Sequence, residues 1–424
     1  MLIAHPPEEL ARLGLLPVGL ALLGALLVVS LGAVLPIPRS VTVEADEAEA
    51  GVRPTPTRLP LFRRRTDTPI ESWADGLSAG QVATRTVAVA ALFFVVAAAR
   101  IGDTSQLENI APALVIGVAW PLLLLGSAIL GPVWRWLDPW DGLARVVESE
   151  KDETGASDER ARAGGNVWPA VVPALAWVWY LSAYTGALDP RPLGAALASY
   201  SLFMLAACLA FGRQLWLART EIFGLVFSWT ARLPRGQLVS WRPPPGSEVV
   251  LGVLASGFLF GRLRFTTWWS ELTIGPLFNL YSAAGVFVCA TLGGALLWLL
   301  ARRSAEDGAP GAVAVAAVPA VISVALAISM ASNRLFTSLQ LLPRLVGDPF
   351  GFGWDPFGTA DWILITEPFG HLGLKVVQMI VLLAGHVVGA AVLARRVEQP
   401  ARPAALVALA VLFIPSLIAI AGTP

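Results

Sequence analysis

The chain has 424 residues, of which 56% are apolar and only 14% charged, with 30 basic against 30 acidic side chains. Soluble globular chains carry about 25% charged residues, so this composition excludes an ordinary soluble enzyme, a disordered chain and a collagen-like chain. A net charge of zero gives no footing for a nucleic-acid partner. Two cysteines, Cys208 and Cys289, lie within apolar runs and cannot make a disulfide framework.

A helix needs about 20 apolar residues to cross a hydrocarbon core of about 30 Å. Ten runs qualify or nearly do: Leu15–Leu35, Val82–Ala99, Ala113–Leu130, Val167–Leu188, Leu193–Phe211, Val249–Phe265, Leu280–Ala301, Ala312–Met330, Gly370–Ala394 and Ala404–Ile420. The sixth is the weakest, because Arg262 and Arg264 sit at its end, where long arginine stems can snorkel to headgroups. The expected fold is therefore all-α: one integral membrane domain over 1–424, a polytopic bundle of about ten spans with a long ordered extracytoplasmic loop at about 331–369. The lipid bilayer is its first partner.

The basic residues set the orientation. The odd-numbered loops hold 21 of them and the even-numbered loops six, so the odd loops are expected in the cytoplasm and both termini outside, in a bacterial inner membrane. Glu8 and Glu9 make an acidic start, which suits a retained first helix rather than a cleaved signal.

Along the chain, the cytoplasmic loops at about 39–78 and 145–166 read as flexible, rich in charge and proline. Asp138-Pro139 and Asp141 suit a turn followed by an N-capped short helix. Trp134, Trp136 and Trp140 beside them fit an interfacial belt. The apolar stretch from Glu221 to Leu233 is too short to span, so it should lie at the interface or re-enter the bundle. Asp-Pro-Phe-Gly occurs twice, at Asp348–Gly351 and Asp355–Gly358, and each copy is a turn recipe. The aromatics around them, Phe350, Phe352, Trp354, Phe357 and Trp362, are too many for a solvated loop and should pack into the bundle mouth or the outer interface.

Candidate sites gather at the predicted outer side. Asn333 and Arg334 end the eighth span, and Arg334 either binds an anionic group or snorkels to headgroups. With Arg264, Trp268, Trp269 and Trp354 they make a candidate binding cleft for a hydrophobic small molecule. Asp348, Asp355, Asp361 and His371 are the catalytic candidates, and His371, Asp355 and Asp361 the candidate ligands of a divalent metal. No ligand spacing supports that metal, and turn building suits the aspartates better. His371 and His386 stand about 22 Å apart on one helix and cannot share an ion. His386 lies in Gly385-His-Val-Val-Gly389, a small-xxx-small face like Gly257-Phe-Leu-Phe-Gly261, where a packing role suits it better than a proton relay.

Six motifs occur in order: Leu107-Glu-Asn-Ile-Ala-Pro112, Val133-Trp-Arg-Trp-Leu-Asp-Pro-Trp140, Phe211-Gly-Arg213, Thr266-Thr-Trp-Trp269, the doubled Asp-Pro-Phe-Gly, and Gly385–Gly389. Through them the chain resembles a family of bacterial multi-spanning membrane proteins, many labelled fenitrothion hydrolase. The resemblance runs from the first span to the ninth, with the doubled segment its most specific part. It implies hydrolysis of a hydrophobic ester such as an aryl phosphotriester at an outward-facing site, and it carries over no residue roles. That chemistry generally calls for a metal-activated hydroxide. On the residues alone, a transporter or a membrane subunit of a larger complex, with a partner subunit or a second copy, fits the apolar interior better.

Overall fold

The computed structural model describes residues 77–147, 165–273, 275, 277–331, 334–365, 370–396 and 403–421. The predicted first span, His5 and most of both charged loops lie outside these residues, as do Asn333 and Glu367; so do the side chains of Ser270, Met330, Ala331 and His371. Every long element among the described residues is a helix, and no strand occurs there.

The chain runs α1 (Ala79–Ile101), then α2 (Ile110–Leu130), whose Ala113–Ala119 segment is wound as a π-helix. Two short helices follow, α3 (Trp134–Leu137) and α4 (Pro139–Val147). Next come α5 (Val171–Ser182), α6 (Pro190–Phe211), α7 (Arg213–Thr220) and α8 (Ile222–Thr230). The second half holds α9 (Ser247–Leu263), α10 (Thr267–Thr273), α11 (Phe278–Glu306), α12 (Ala312–Ala331), α13 (Arg334–Gly347), α14 (Gly370–Ala394) and α15 (Pro403–Ala421). The α1 start shows why its boundary falls where it does. Ser78 Oγ accepts from the Gln81 amide while the Gln81 side chain accepts from the Ser78 amide, a reciprocal cap.

Among the described residues, seven helices are long and apolar enough to cross a membrane: α1, α2, α6, α11, α12, α14 and α15. The α9–α10 pair, bent by 80°, makes up to eight. One of the ten predicted runs lies outside the described residues, and two of the other nine differ from expectation for particular reasons. The predicted span Val167–Leu188 holds only the twelve residues of α5, because the apolar run continues through a turn. Tyr180 Oη donates to the Ala187 carbonyl and closes that turn. The predicted span Val249–Phe265 ends at Leu263, where the chain bends. The predicted long loop 331–369 is partly regular, since its first half is α13.

The helix faces explain the composition. Only 22% of the spanning window of α1 and of α11 is buried, and side chains such as Phe93, Leu202, Leu209, Leu292 and Ile380 face outward. Apolar faces of this extent suit contact with lipid. The exception is α12, of whose window 89% is buried. It is built almost entirely of Ala, Val, Ser and Ile, and so lets α14, α9 and α15 approach closely around it. Both small-xxx-small faces are seams of this kind. A Cβ on Gly385 would lie 2.3 Å from Ser323 of α12 and 2.5 Å from the Pro319 carbonyl, and one on Gly257 would lie 2.4 Å from Val178 of α5. His386 serves the first seam: its Nδ1 lies 2.7 Å from the Leu382 carbonyl, which also accepts from Ser323 Oγ, and its ring meets Phe413 edge-on.

Candidate functional site

The aromatic loop is built from its two repeats. In each copy the Gly amide donates to the Asp carbonyl, Gly351 to Asp348 and Gly358 to Asp355, and both glycines sit at positive φ (+70° and +65°). An L side chain is disfavoured there, which is why the repeat ends in glycine. The copies differ in what they touch. The first docks on the α1–α2 junction: the Asp103 backbone amide donates to the Phe350 carbonyl at 2.7 Å, and the Phe350 ring meets Phe94 at 5.7 Å. The second leaves Phe357 exposed, and Phe352, Trp354 and Trp362 are exposed as well. Of the loop aromatics, Phe350 packs against the bundle as the sequence predicts.

The carboxylates of this loop are engaged with backbone. Asp348 accepts from the amides of Phe352, Gly353 and Trp354, and Asp355 from those of Thr359 and Ala360. Asp361 is exposed. Among the described residues no three of His, Cys, Asp and Glu lie where they could hold a metal ion. The side chain of the remaining candidate, His371, is outside those residues. The aspartates thus do what turn chemistry asks of them.

A cavity of about 100 Å³ opens beneath, where α9 and α12 end. Arg262, Arg264 and Arg334 line it, with Ser182 and Ser329, against an apolar wall that includes Ile116, Trp120, Phe258 and Phe265. Its lining contains no carboxylate. The Arg264 guanidinium donates to the Ala183 carbonyl at 3.0 Å and stacks on Phe265 at 4.6 Å, while its Nε has no hydrogen-bond partner among the described residues. Arg334 has neither a hydrogen bond nor an ion pair there. Burial, and then the like charge of Arg264, lower the Arg334 pKa. Both effects disfavour the cation and both are relieved by an anion placed between them. The π-wound segment of α2 supplies Ile116, and Trp120 follows directly after it. Such segments are frequent at functional sites because they re-aim side chains within a helix. Of the predicted binding set, then, Arg264 and Arg334 meet in one cavity. Trp268 is exposed, Trp269 packs on Phe260 at 5.0 Å, and Trp354 stacks within the loop, so none of the three lines it.

A second polar cluster went unread in the sequence as a site. Asp138 caps α4 as predicted, its Oδ1 accepting from the amides of Trp140 and Asp141 at 3.0 Å each. Asp141, fully buried, receives three arginines from three helices: Arg85 of α1, Arg145 of α4 at 2.9 Å and Arg213 of α7 at 2.6 Å. Nearby, Glu221 caps α8, accepting from the amides of Phe223 and Gly224 and from Tyr200 Oη at 2.9 Å. The α8 helix does re-enter the bundle: Ile222, Leu225, Phe227 and Trp229 are buried, and Phe223 and Phe227 pack on Trp120 and Trp134. The available signal was Glu221 itself, an acidic cap placed directly before nine apolar residues.

No family model, curated protein or solved structure matches the chain.

Proposed function

We propose that this chain is a multi-pass membrane protein that binds a small anionic solute in the arginine-lined cavity, as a transporter or as the binding subunit of a larger complex. The carrying observation is the meeting of Arg262, Arg264 and Arg334 around one cavity with no carboxylate in its lining. Arg264 and Arg334 repel one another in this low-dielectric, apolar-walled space, and an anion with a small apolar part offsets that repulsion while filling the wall. Within this reading the chain crosses an inner membrane about ten times, with both termini and the aromatic loop outside. The exposed loop aromatics then sit at the headgroup layer, and the cavity faces outward. Hydrolysis of a phosphotriester, which the family resemblance implies, draws less support. The carboxylates it would use are engaged with turn amides and lie outside the cavity wall.

The test is thermal unfolding of the purified protein in detergent with phenylphosphonate, inorganic phosphate or acetate added at fixed ionic strength. A ligand that binds only the folded state raises the melting point with concentration. Phenylphosphonate should do so in the unmodified protein and fail to do so in Arg334→Gln and Arg264→Gln. An equal rise in all three proteins would show that the anion acts elsewhere and sink the proposal.

A further inference from the structure

The second cluster lies on another wall of Trp120. That indole lines the arginine cavity and also meets Phe223, two residues beyond Glu221, at 5.8 Å. Three observations set the Glu221 surroundings apart from an ordinary helix cap. Its carboxylate is fully buried, at the N-terminus of a nine-residue helix that is itself inside the bundle. Asp138, also fully buried, is joined to it through one stacked aromatic pair: Asp138 accepts from the Trp140 amide, Trp140 stacks on Phe223 at 5.4 Å, and Glu221 accepts from the Phe223 amide; the two carboxylates repel, and Asp138 Oδ2 has no hydrogen-bond partner among the described residues. Next to Gly224, whose amide Glu221 accepts, lies Trp134 Nε1, a second buried polar atom without a partner there.

Arg85 faces from α1, Arg145 and Asp141 from α4, Arg213 from α7, Arg135 from α3, and the Tyr200 hydroxyl from α6. Arg219 is the other charge of α7, and α2 and α12, which also pack on α8, carry no titratable side chain. The arginines cluster on Asp141; burial raises the Asp138 carboxyl to about 7, against the pull of Arg85, Arg145 and Arg213. Glu221 is left with burial and a neighbouring carboxylate, both of which push its pKa up, against two amides and one phenol that hold it down.

We propose that Glu221 and Asp138, with Tyr200 donating to Glu221, form a site that binds one exchangeable proton. The pair shares it: burial pushes both carboxyls up, Asp138 to about 7 against the pull of Arg85 and Glu221 to about 8, so the proton belongs to the pair rather than to either residue. A carboxylic acid there donates where a carboxylate cannot, and Asp138 Oδ2 is the acceptor left open. This inference does not rest on the anion reading, because its readouts need no anion.

The experiment is an infrared titration of the full chain in lipid nanodiscs, following the C=O stretch of protonated carboxyl groups. The unmodified protein should hold a protonated carboxyl near neutral pH, well above the ordinary glutamate value of about 4.3. Glu221→Gln should abolish that signal. Two further variants move it in opposite directions. Asp138→Asn removes the repelling charge, so the titration should fall by roughly one pH unit or more. Tyr200→Phe removes a donor to the ionised form, so it should rise. The opposed shifts keep the proposal testable if Glu221→Gln does not fold. No protonated carboxyl near neutral pH, or a band unmoved by both Asp138→Asn and Tyr200→Phe, would overturn it.

Discussion

The Trp120 indole lies 5.8 Å from the Phe223 ring, edge-on, and the same indole forms part of the arginine cavity wall. One rigid side chain therefore touches both polar regions of the bundle. An aromatic pair of this geometry contributes about 0.5–1.5 kcal/mol beyond its burial. Trp120→Leu should weaken phenylphosphonate binding several-fold and also shift the Glu221 titration. A variant that changes the first and leaves the second untouched would show that the two regions are independent.

Asp141 is the keystone of its cluster, since three guanidinium groups converge on one fully buried carboxylate. Removing one partner of a buried ion pair costs about 3–5 kcal/mol, because the other charge is left uncompensated. Asp141→Ala should lower the melting point sharply in detergent. Arg145→Met should cost much less, because that side chain is a quarter exposed. Equal losses in both variants would contradict this arrangement.

Asp348 sets the pH response of the aromatic loop. Slight burial pushes its carboxyl up, but the amides of Phe352, Gly353 and Trp354 outweigh this and hold it below the usual range. A depressed folded-state pKa stabilises above the unfolded value of about 3.9 and ceases to do so as pH falls through the folded one. The amides of Phe352–Trp354 should thus stay protected from hydrogen exchange near neutral pH and lose protection in acid. In Asp348→Ala their protection should be low throughout and independent of pH, and a variant indistinguishable from the unmodified protein would refute the assignment.

The hydrolytic reading has its own assay, with a chromogenic aryl phosphotriester and divalent metals supplied. Because Asp348 and Asp355 are engaged by backbone amides, no turnover above a detergent blank is expected. Turnover abolished by Asp355→Asn or by His371→Ala would place catalysis in the aromatic loop and reverse the present reading.

Much of the fold was legible because it follows from local rules. The doubled Asp-Pro-Phe-Gly encodes its turns, the paired glycines encode helix seams, and Asp138 encodes a cap. The stretch after Glu221 was too short to span and is a nine-residue helix buried in the bundle. Apolarity overshot at Val167–Leu188, because it does not distinguish a helix from a turn that packs among aromatics. The π-wound segment was invisible for a similar reason: Ala113–Ala119 has the composition of any other turn of α2. Of the cavity, Arg264 and Arg334 were read as candidates from their depth. The Asp141 cluster was not, since Arg85, Arg145 and Arg213 meet only when α1, α4 and α7 pack. In the sequence those arginines count only as charges near the ends of apolar runs.

The burial of α8 also bears on biogenesis. Nine residues cannot partition into the bilayer as a segment of their own. Part of their binding surface is α12, which leaves the ribosome only later. During synthesis α8 therefore cannot complete its packing until α12 has been made. Until then Glu221 is in water and ionised, so assembly of the bundle would itself take up a proton.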